Sequence, residues 1–405
     1  MYARPEEAVP LKTTLFTAAL LCGVTTMLSA QDSQTKWDLY GFIMLDGGYN
    51  ADQIQGDWYD TVRPTKLPSF AGEFAPSGNW FYGVRQTRFG VKTNTPTSMG
   101  NLFTQFEFEM FGTGVDAGQT TIRLRHAYGE LGAWGAGQYW SPFMDIDVFP
   151  NSVEYWGPTG MAFFRNVQVR YMPIKGDTRM TIALERPGAS ADQGVYAGRV
   201  ELQDVKARFP LPDLSAEYRM GRKWGYVEAA AILREIKWED QGTDQFDLSG
   251  DALGWGISLS SNIKLREGKD VVRLQGIIGE GVQNYMNDAP VDVGIENQFG
   301  NTVSPVKGVA LPLTSGVAFL DHTWSSKYSS SIGYSFLSID NSDAQSPSAF
   351  HVGHYALANL LVTPIPNVLY GVELQWGRRE NNSDGFESDI FKVQFSFKYN
   401  FAKSF

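Results

Sequence analysis

The chain has 405 residues, 43% of them hydrophobic and 14% aromatic, which excludes intrinsic disorder and leaves enough apolar material for a large core or a large apolar surface. Its 44 acidic residues outnumber 34 basic ones, and a net charge of −10 excludes the electrostatic footprint of a nucleic-acid binder. The single cysteine, Cys22, lies near the N-terminus, so the rest of the chain can form no disulfide and no thiolate metal site.

Lys12 precedes an apolar run from Leu15 to Leu28, and Leu28-Ser29-Ala30 ends in the small residue that signal peptidase requires. The reading is an export signal over residues 1–30, cleaved after Ala30, followed by one domain over 31–405. That run is shorter than the ~20 residues of a spanning helix, and no later run approaches such a length. Membrane residence must therefore be as a β-barrel, in which every backbone group finds a partner on a neighbouring strand.

Period-two alternation predicts strands near 36–50, 81–93, 101–112, 120–131, 134–140, 164–172, 178–186, 214–220, 223–238, 252–265, 270–285, 315–325, 328–340, 353–363, 368–380 and 390–404. The last is the clearest. Phe391, Val393, Phe395, Phe397, Tyr399 and Phe401 alternate there with Lys392, Gln394, Ser396, Lys398 and Asn400. Strands of a soluble sandwich average about five or six residues, whereas a strand crossing hydrocarbon needs about nine to eleven. The connections alternate too. Brief turns at Asn94-Thr95-Pro96, Gly132-Ala133, Gly221-Arg222 and Ser326-Lys327 separate long loops at 51–80, 187–213, 239–251 and 286–314, the asymmetry of an outer-membrane barrel. The predicted fold is all-β: a transmembrane antiparallel β-barrel of about sixteen strands.

One connection stands apart. Residues 137–165, GQYWSPFMDIDVFPNSVEYWGPTGMAFFR, show neither strand nor helix periodicity. Pro142, Pro150 and Pro158 stiffen the stretch, and Asp145, Asp147 and Glu154 charge it. A structureless connection longer than about 12 to 15 residues is usually functional, and this one is expected to fold inward as a constriction loop.

Strand parity then assigns the lumen. Arg88 and Lys92 on the second predicted strand, Arg123 and Arg125 on the fourth, Arg170 on the sixth and Arg179 on the seventh oppose the apolar face, with Arg165 at the junction to the inward loop. An arginine in mid-bilayer costs roughly 2 to 4 kcal/mol, so a water-filled interior is its favourable place. The expectation is a basic wall facing an acidic loop, whose transverse field selects solutes by charge and size. The alternative for each arginine is a plain wall pairing with Glu107, Glu109 or Glu130.

Several of these motifs carry a resemblance. Gly137-Gln138-Tyr139-Trp140-Ser141-Pro142-Phe143, Phe149-Pro150-Asn151 and Gly157-Pro158 are preceded by Arg123-Leu124-Arg125-His126-Ala127-Tyr128 and followed by Leu211-Pro212-Asp213-Leu214. As a set this resembles the DcaP-like dicarboxylic-acid porins. The resemblance implies a homotrimer of sixteen-stranded barrels in the outer membrane of a Gram-negative bacterium, in contact with lipopolysaccharide. It implies passive diffusion of small anions, dicarboxylates above all, past Arg88, Arg123, Arg125, Arg165 and Arg170. It also implies that Phe405 belongs to the insertion signal. Some members carry a helical extension before the barrel, whereas here Trp37 opens the first strand soon after the expected cleavage site. No cofactor is expected, since flux follows the concentration gradient.

Three other classes compete. A barrel lipase or protease needs a histidine beside a serine or an acid; Asp321 and His322 are adjacent on a strand and so point to opposite faces, and His351 and His354 lie at a loop edge. A calcium site on Asp145 and Asp147 lacks further ligands in any known loop pattern, so no metal is expected. A structural barrel would fit the strands but not the inward loop and the basic wall.

Overall fold

A computed structural model describes residues 35–112 and 121–405; the expected signal peptide, and Thr120 at the start of the fourth predicted strand, lie outside them. The described chain is almost wholly strand and loop. In order the segments are β1 (Lys36–Asn50), β2 (Asn79–Gly83), β3 (Arg88–Thr97), β4 (Gly100–Glu109), β5 (Arg123–Leu131), β6 (Trp134–Trp140), β7 (Arg165–Ile174), β8 (Arg179–Glu185), β9 (Val205–Arg208) and β10 (Asp213–Arg222). There follow β11 (Gly225–Asp240), β12 (Gly250–Leu265), β13 (Asp270–Glu280), β14 (Val293–Asn297), β15 (Val306–Ala310), β16 (Pro312–Thr323), β17 (Tyr328–Ile339), β18 (Phe350–Val362), β19 (Val368–Asn381) and β20 (Glu387–Ser404).

Eighteen of these form one sheet, and β14 with β15 make a separate hairpin. β2 and β3 lie end to end along β1, as β9 and β10 do along β11, so the sheet has sixteen staves. β20 pairs antiparallel with β1 from Asp38↔Ser404 to Asn50↔Lys392, which closes the barrel and removes every free edge. The outward face is the apolar one: Phe391, Phe397 and Tyr399 are exposed, while Lys392, Gln394 and Ser396 between them are buried.

Four details differ from the periodicity reading. The strand expected at 81–93 breaks after Gly83, because Arg85 is drawn inside to donate to both oxygens of Asp60 and to the carbonyls of Asp57 and Gly112. The first short turn falls after Thr97 rather than at Asn94-Thr95-Pro96, since β3 pairs with β4 down to Thr97↔Gly100. The loop at 286–314 contains the β14–β15 hairpin, and β9 lies within the connection expected at 187–213.

The fourth difference concerns the interior. The inward positions of β11, β13 and β16–β18 carry Ile232, Ile277, Val317, Phe319, Leu337 and Leu357, all buried, where alternation predicts a polar lining. Residues 141–164 cover them: Phe143 and Ala162 pack with Ile232, Ile277 and Leu337, and Met144, Val148 and Met161 pack with Val317, Phe319 and Leu357. Burying each large apolar side chain contributes about 1.5 to 3 kcal/mol, so the loop is a fixed lining and not a hanging flap. At Gly160 the approach is closest, since a Cβ there would lie 2.2 Å from the Phe336 carbonyl oxygen and 2.7 Å from that of Gly316. The cavities left beside the loop are bordered by residues of β1, β3, β5–β7 and β20, with the loops around Arg63 and Gln283.

Candidate solute path and its constriction

The inward loop is anchored to the wall by its own acids. Asp145 is buried; it accepts from Arg219 Nη2 at 2.5 Å and from the hydroxyls of Tyr226 and Ser260 at 2.6 Å each. Asp147 also accepts from Arg219, and its backbone carbonyl accepts from Asn262 and Arg273. Further on, Asn151 bonds Asp321 and Ser329, Ser152 donates to Glu373, and Glu154 meets Lys392 Nζ at 3.2 Å with both side chains fully buried. Asp145 and Asp147 thus pair with Arg219 of β10 and Glu154 with Lys392 of β20, and not with the arginines of β5 and β7. The expected transverse field between acidic loop and basic wall is replaced by local pairs, because each acid finds a cation on the wall that it touches.

Burial pushes the Glu154 carboxyl up to about 7, against the opposing pull of Lys392. A folded-state value above the unfolded one means that its contribution to stability is complete below the unfolded value and is lost as pH rises through about 7. Glu154 is therefore expected to add more to heat resistance at pH 5 than at pH 8, measured as the difference between the wild type and Glu154→Gln. Heat-modifiable migration of the folded barrel in detergent reads that difference at each pH; an unchanged pH slope in the variant would place the titration elsewhere.

The open side holds the arginines. Arg125 donates to Glu107 Oε1 at 2.6 Å and to Glu109 Oε2 at 2.7 Å. It reaches both because β4 and β5 slip register there, Glu107 pairing with His126 and Phe108 with Leu124, so that Arg125 is the extra residue of a β-bulge. Bulges re-aim side chains in this way. Arg88 Nη2 lies 3.3 Å from Glu109, Arg123 Nη1 lies 3.9 Å away, and Arg165 Nη2 lies 4.0 Å away. Tyr155 from the loop donates to the same carboxylate and stacks on Phe111 at 3.8 Å. Four arginines thus share two glutamates, an excess of two positive charges. Arg165 Nη1 and Arg88 Nε are buried with no hydrogen-bond partner among the described residues.

Two cavities adjoin this cluster and share Tyr155 and Phe163 as their partition. The outer one, about 420 Å³, is lined by Arg63, Arg123, Arg165, Trp156, Gln283 and Asn287 among others. The inner one, about 180 Å³, is bounded by Phe42, Gln86, Arg88, Arg125, Glu154 and Lys398. Of the other basic residues expected from parity, Lys92 Nζ sits 4.8 Å over the Tyr40 ring. Arg170 donates to Gln168 and the Trp140 carbonyl, and Arg179 pairs with Glu217 and Glu228 at 3.2 and 2.9 Å. These three line neither cavity.

Sequence reasoning missed Arg63, Arg219 and Lys398. Parity could have found the last two, since each opposes outward aromatics, Tyr218 for Arg219 and Phe397 with Tyr399 for Lys398. Arg63 carries no periodic signal. It comes from the loop after β1, is held between the Trp58 and Trp156 rings at 4.1 and 4.0 Å, and donates to Asp288 at 2.9 Å.

Residues 23–401 match the profile of the DcaP outer membrane protein. The chain belongs to the DcaP outer membrane protein family. Among solved structures it is similar to the outer membrane channel DcaP of Acinetobacter baumannii, at 21% identity and a TM-score of 0.75 over 91% of this chain and 97% of that one. It is more distantly similar to an anion-selective porin from Comamonas acidovorans, at 9% identity and TM-score 0.58 over 91% and 100% of the two chains. It is also similar to OmpT of Vibrio cholerae, at 11% and 0.55 over 92% and 99%. A search of curated protein sequences finds no match. This DcaP-family chain is a porin-type barrel of the Gram-negative outer membrane. Of the histidines, His322 pairs with Asp270 across two strands, and His354 pairs with Tyr334 and Glu380 on the outward face.

Proposed function

We propose that this DcaP-family channel passes small anions down their gradient, dicarboxylates preferentially, and does so as a homotrimer. The observation that carries the reading is the cluster at Glu109, where Arg88, Arg123, Arg125 and Arg165 outnumber Glu107 and Glu109 beside the open cavities. A guanidinium offers a carboxylate a planar fork of donors, and two cations in excess accommodate two carboxylates. Glu107 and Glu109 temper the attraction, which suits a channel, where binding must recruit a solute and still release it. The homotrimer is what the resemblance to this family implies.

The refolded protein in a planar bilayer, under a salt gradient, is expected to show a reversal potential of anionic sign, with conductance steps in threes that a dicarboxylate partly blocks. A reversal potential of cationic sign would overturn the anion reading while leaving the channel. Single, independent steps would overturn the trimer.

A further inference from the structure

Two inward lysines on β20 have opposite circumstances. Lys392 is fully buried and satisfied, donating to Glu154 and to the Asp60 carbonyl. Lys398, three alternations further on, makes no ion pair and no side-chain hydrogen bond among the described residues; its ammonium lies 4.0 Å over the ring of Phe42. The Arg88 guanidinium lies over the same ring at 5.1 Å. Its Nε, 3.8 Å from Glu107, makes no hydrogen bond. Both cations border the inner cavity, together with Gln86 and Arg125. Glu154 borders it too, but spends its charge on Lys392.

From this we infer that the inner cavity is a second anion station, in which Lys398 and Arg88, resting on Phe42, take one carboxylate group of a passing solute after it leaves Arg123 and Arg165 beyond Tyr155 and Phe163. The inference rests on the anion reading above. An aromatic face stabilises a cation without neutralising it, so Lys398 keeps its charge and its three donors for a ligand. Desolvation of an unpaired ammonium is costly, and a carboxylate of the solute is the group that offsets it. Its volume, less than half that of the outer cavity, suits a carboxylate on a short chain. Two stations in series make recognition directional: solute arriving from the short-turn side meets Lys398 first, and solute arriving from the long loops meets Arg123 and Arg165 first.

The test is block of the full channel in a bilayer by succinate added to one side at a time. Lys398→Gln is expected to weaken block from the short-turn side about fivefold, as loss of one weak charge-assisted contact would, with block from the loop side nearly unchanged; Lys398→Arg should keep both. Phe42→Leu leaves every charge in place and should give the same one-sided loss, which keeps the test open if Lys398→Gln fails to assemble. Block from the short-turn side unchanged from wild type in both Lys398→Gln and Phe42→Leu, in a channel that is still anion-selective, would overturn the inner station and leave the anion reading standing. A wild-type channel without anion preference would overturn both.

Discussion

Arg219→Ala should open the channel. Arg219 donates to Asp145 at 2.5 Å and to Glu228 at 2.6 Å, also reaches Asp147, and stacks 3.6 Å over the Tyr226 ring. Asp145 and Glu228 are both buried, and while Glu228 keeps Arg179 at 2.9 Å, removing Arg219 strands the Asp145 carboxylate. Breaking a buried pair in this way costs about 3 to 5 kcal/mol. The cost is relieved if Asp145 and Asp147 swing off β10 into water, carrying the first half of the inward loop away from the wall. The expected result is a noisier single-channel conductance, changed from the wild-type level, together with a lower temperature of heat modification. Adding Asp145→Asn should recover part of that temperature, because it removes one stranded charge. A conductance and heat resistance equal to the wild type would mean that the contacts of Phe143, Met144 and Val148 hold the loop without Arg219.

The second large effect is on selectivity. Arg123→Gln together with Arg165→Gln takes the Glu109 cluster from two excess cations to none, and the anion-to-cation permeability ratio should fall about fivefold to tenfold, toward unity, since the local potential concentrates counter-ions in the passage. Heat resistance should barely move, because Arg123 and Arg165 stand 3.9 and 4.0 Å from Glu109, outside hydrogen-bond distance. Arg125→Gln is expected to behave in the opposite way. Its guanidinium lies buried between Glu107 and Glu109 at 2.6 and 2.7 Å, and its loss leaves two buried carboxylates short of a cation, a destabilisation of about 3 to 5 kcal/mol. Reversal potentials and heat-modifiable migration, measured on both variants, separate the roles; selectivity that survives the double substitution would move the anion path away from the outer cavity.

The contrast between Arg123 and Arg125 shows where reading by parity stops. Both oppose the apolar face of one strand, and alternation treats them alike. The bulge opposite Glu107 and Phe108 then aims Arg125 into a closed pair of ion pairs and leaves Arg123 at the cavity. Nothing in the order of residues 123–128 marks the slip. Likewise Asp145, Asp147 and Glu154 stand out in sequence as charges on an inward loop, but their partners Arg219 and Lys392 lie on strands far along the chain.

What the sequence determined by itself is the barrel: its sixteen staves, the inward fold of the connection within residues 137–165 and the apolar outward side of each strand. Hydrocarbon is a uniform solvent, so every outward position answers to the same rule, and a period of two repeated over about ten residues suffices to declare it. The interior has no such uniform solvent. An inward residue there meets water, the loop's apolar side chains or an opposing charge, according to contacts such as Arg63 with Asp288 and Gly160 with the Phe336 backbone. Only the tertiary structure decided which inward faces the loop covers, which cations are spent on wall glutamates and which, at Arg123, Arg165 and Lys398, border the cavities.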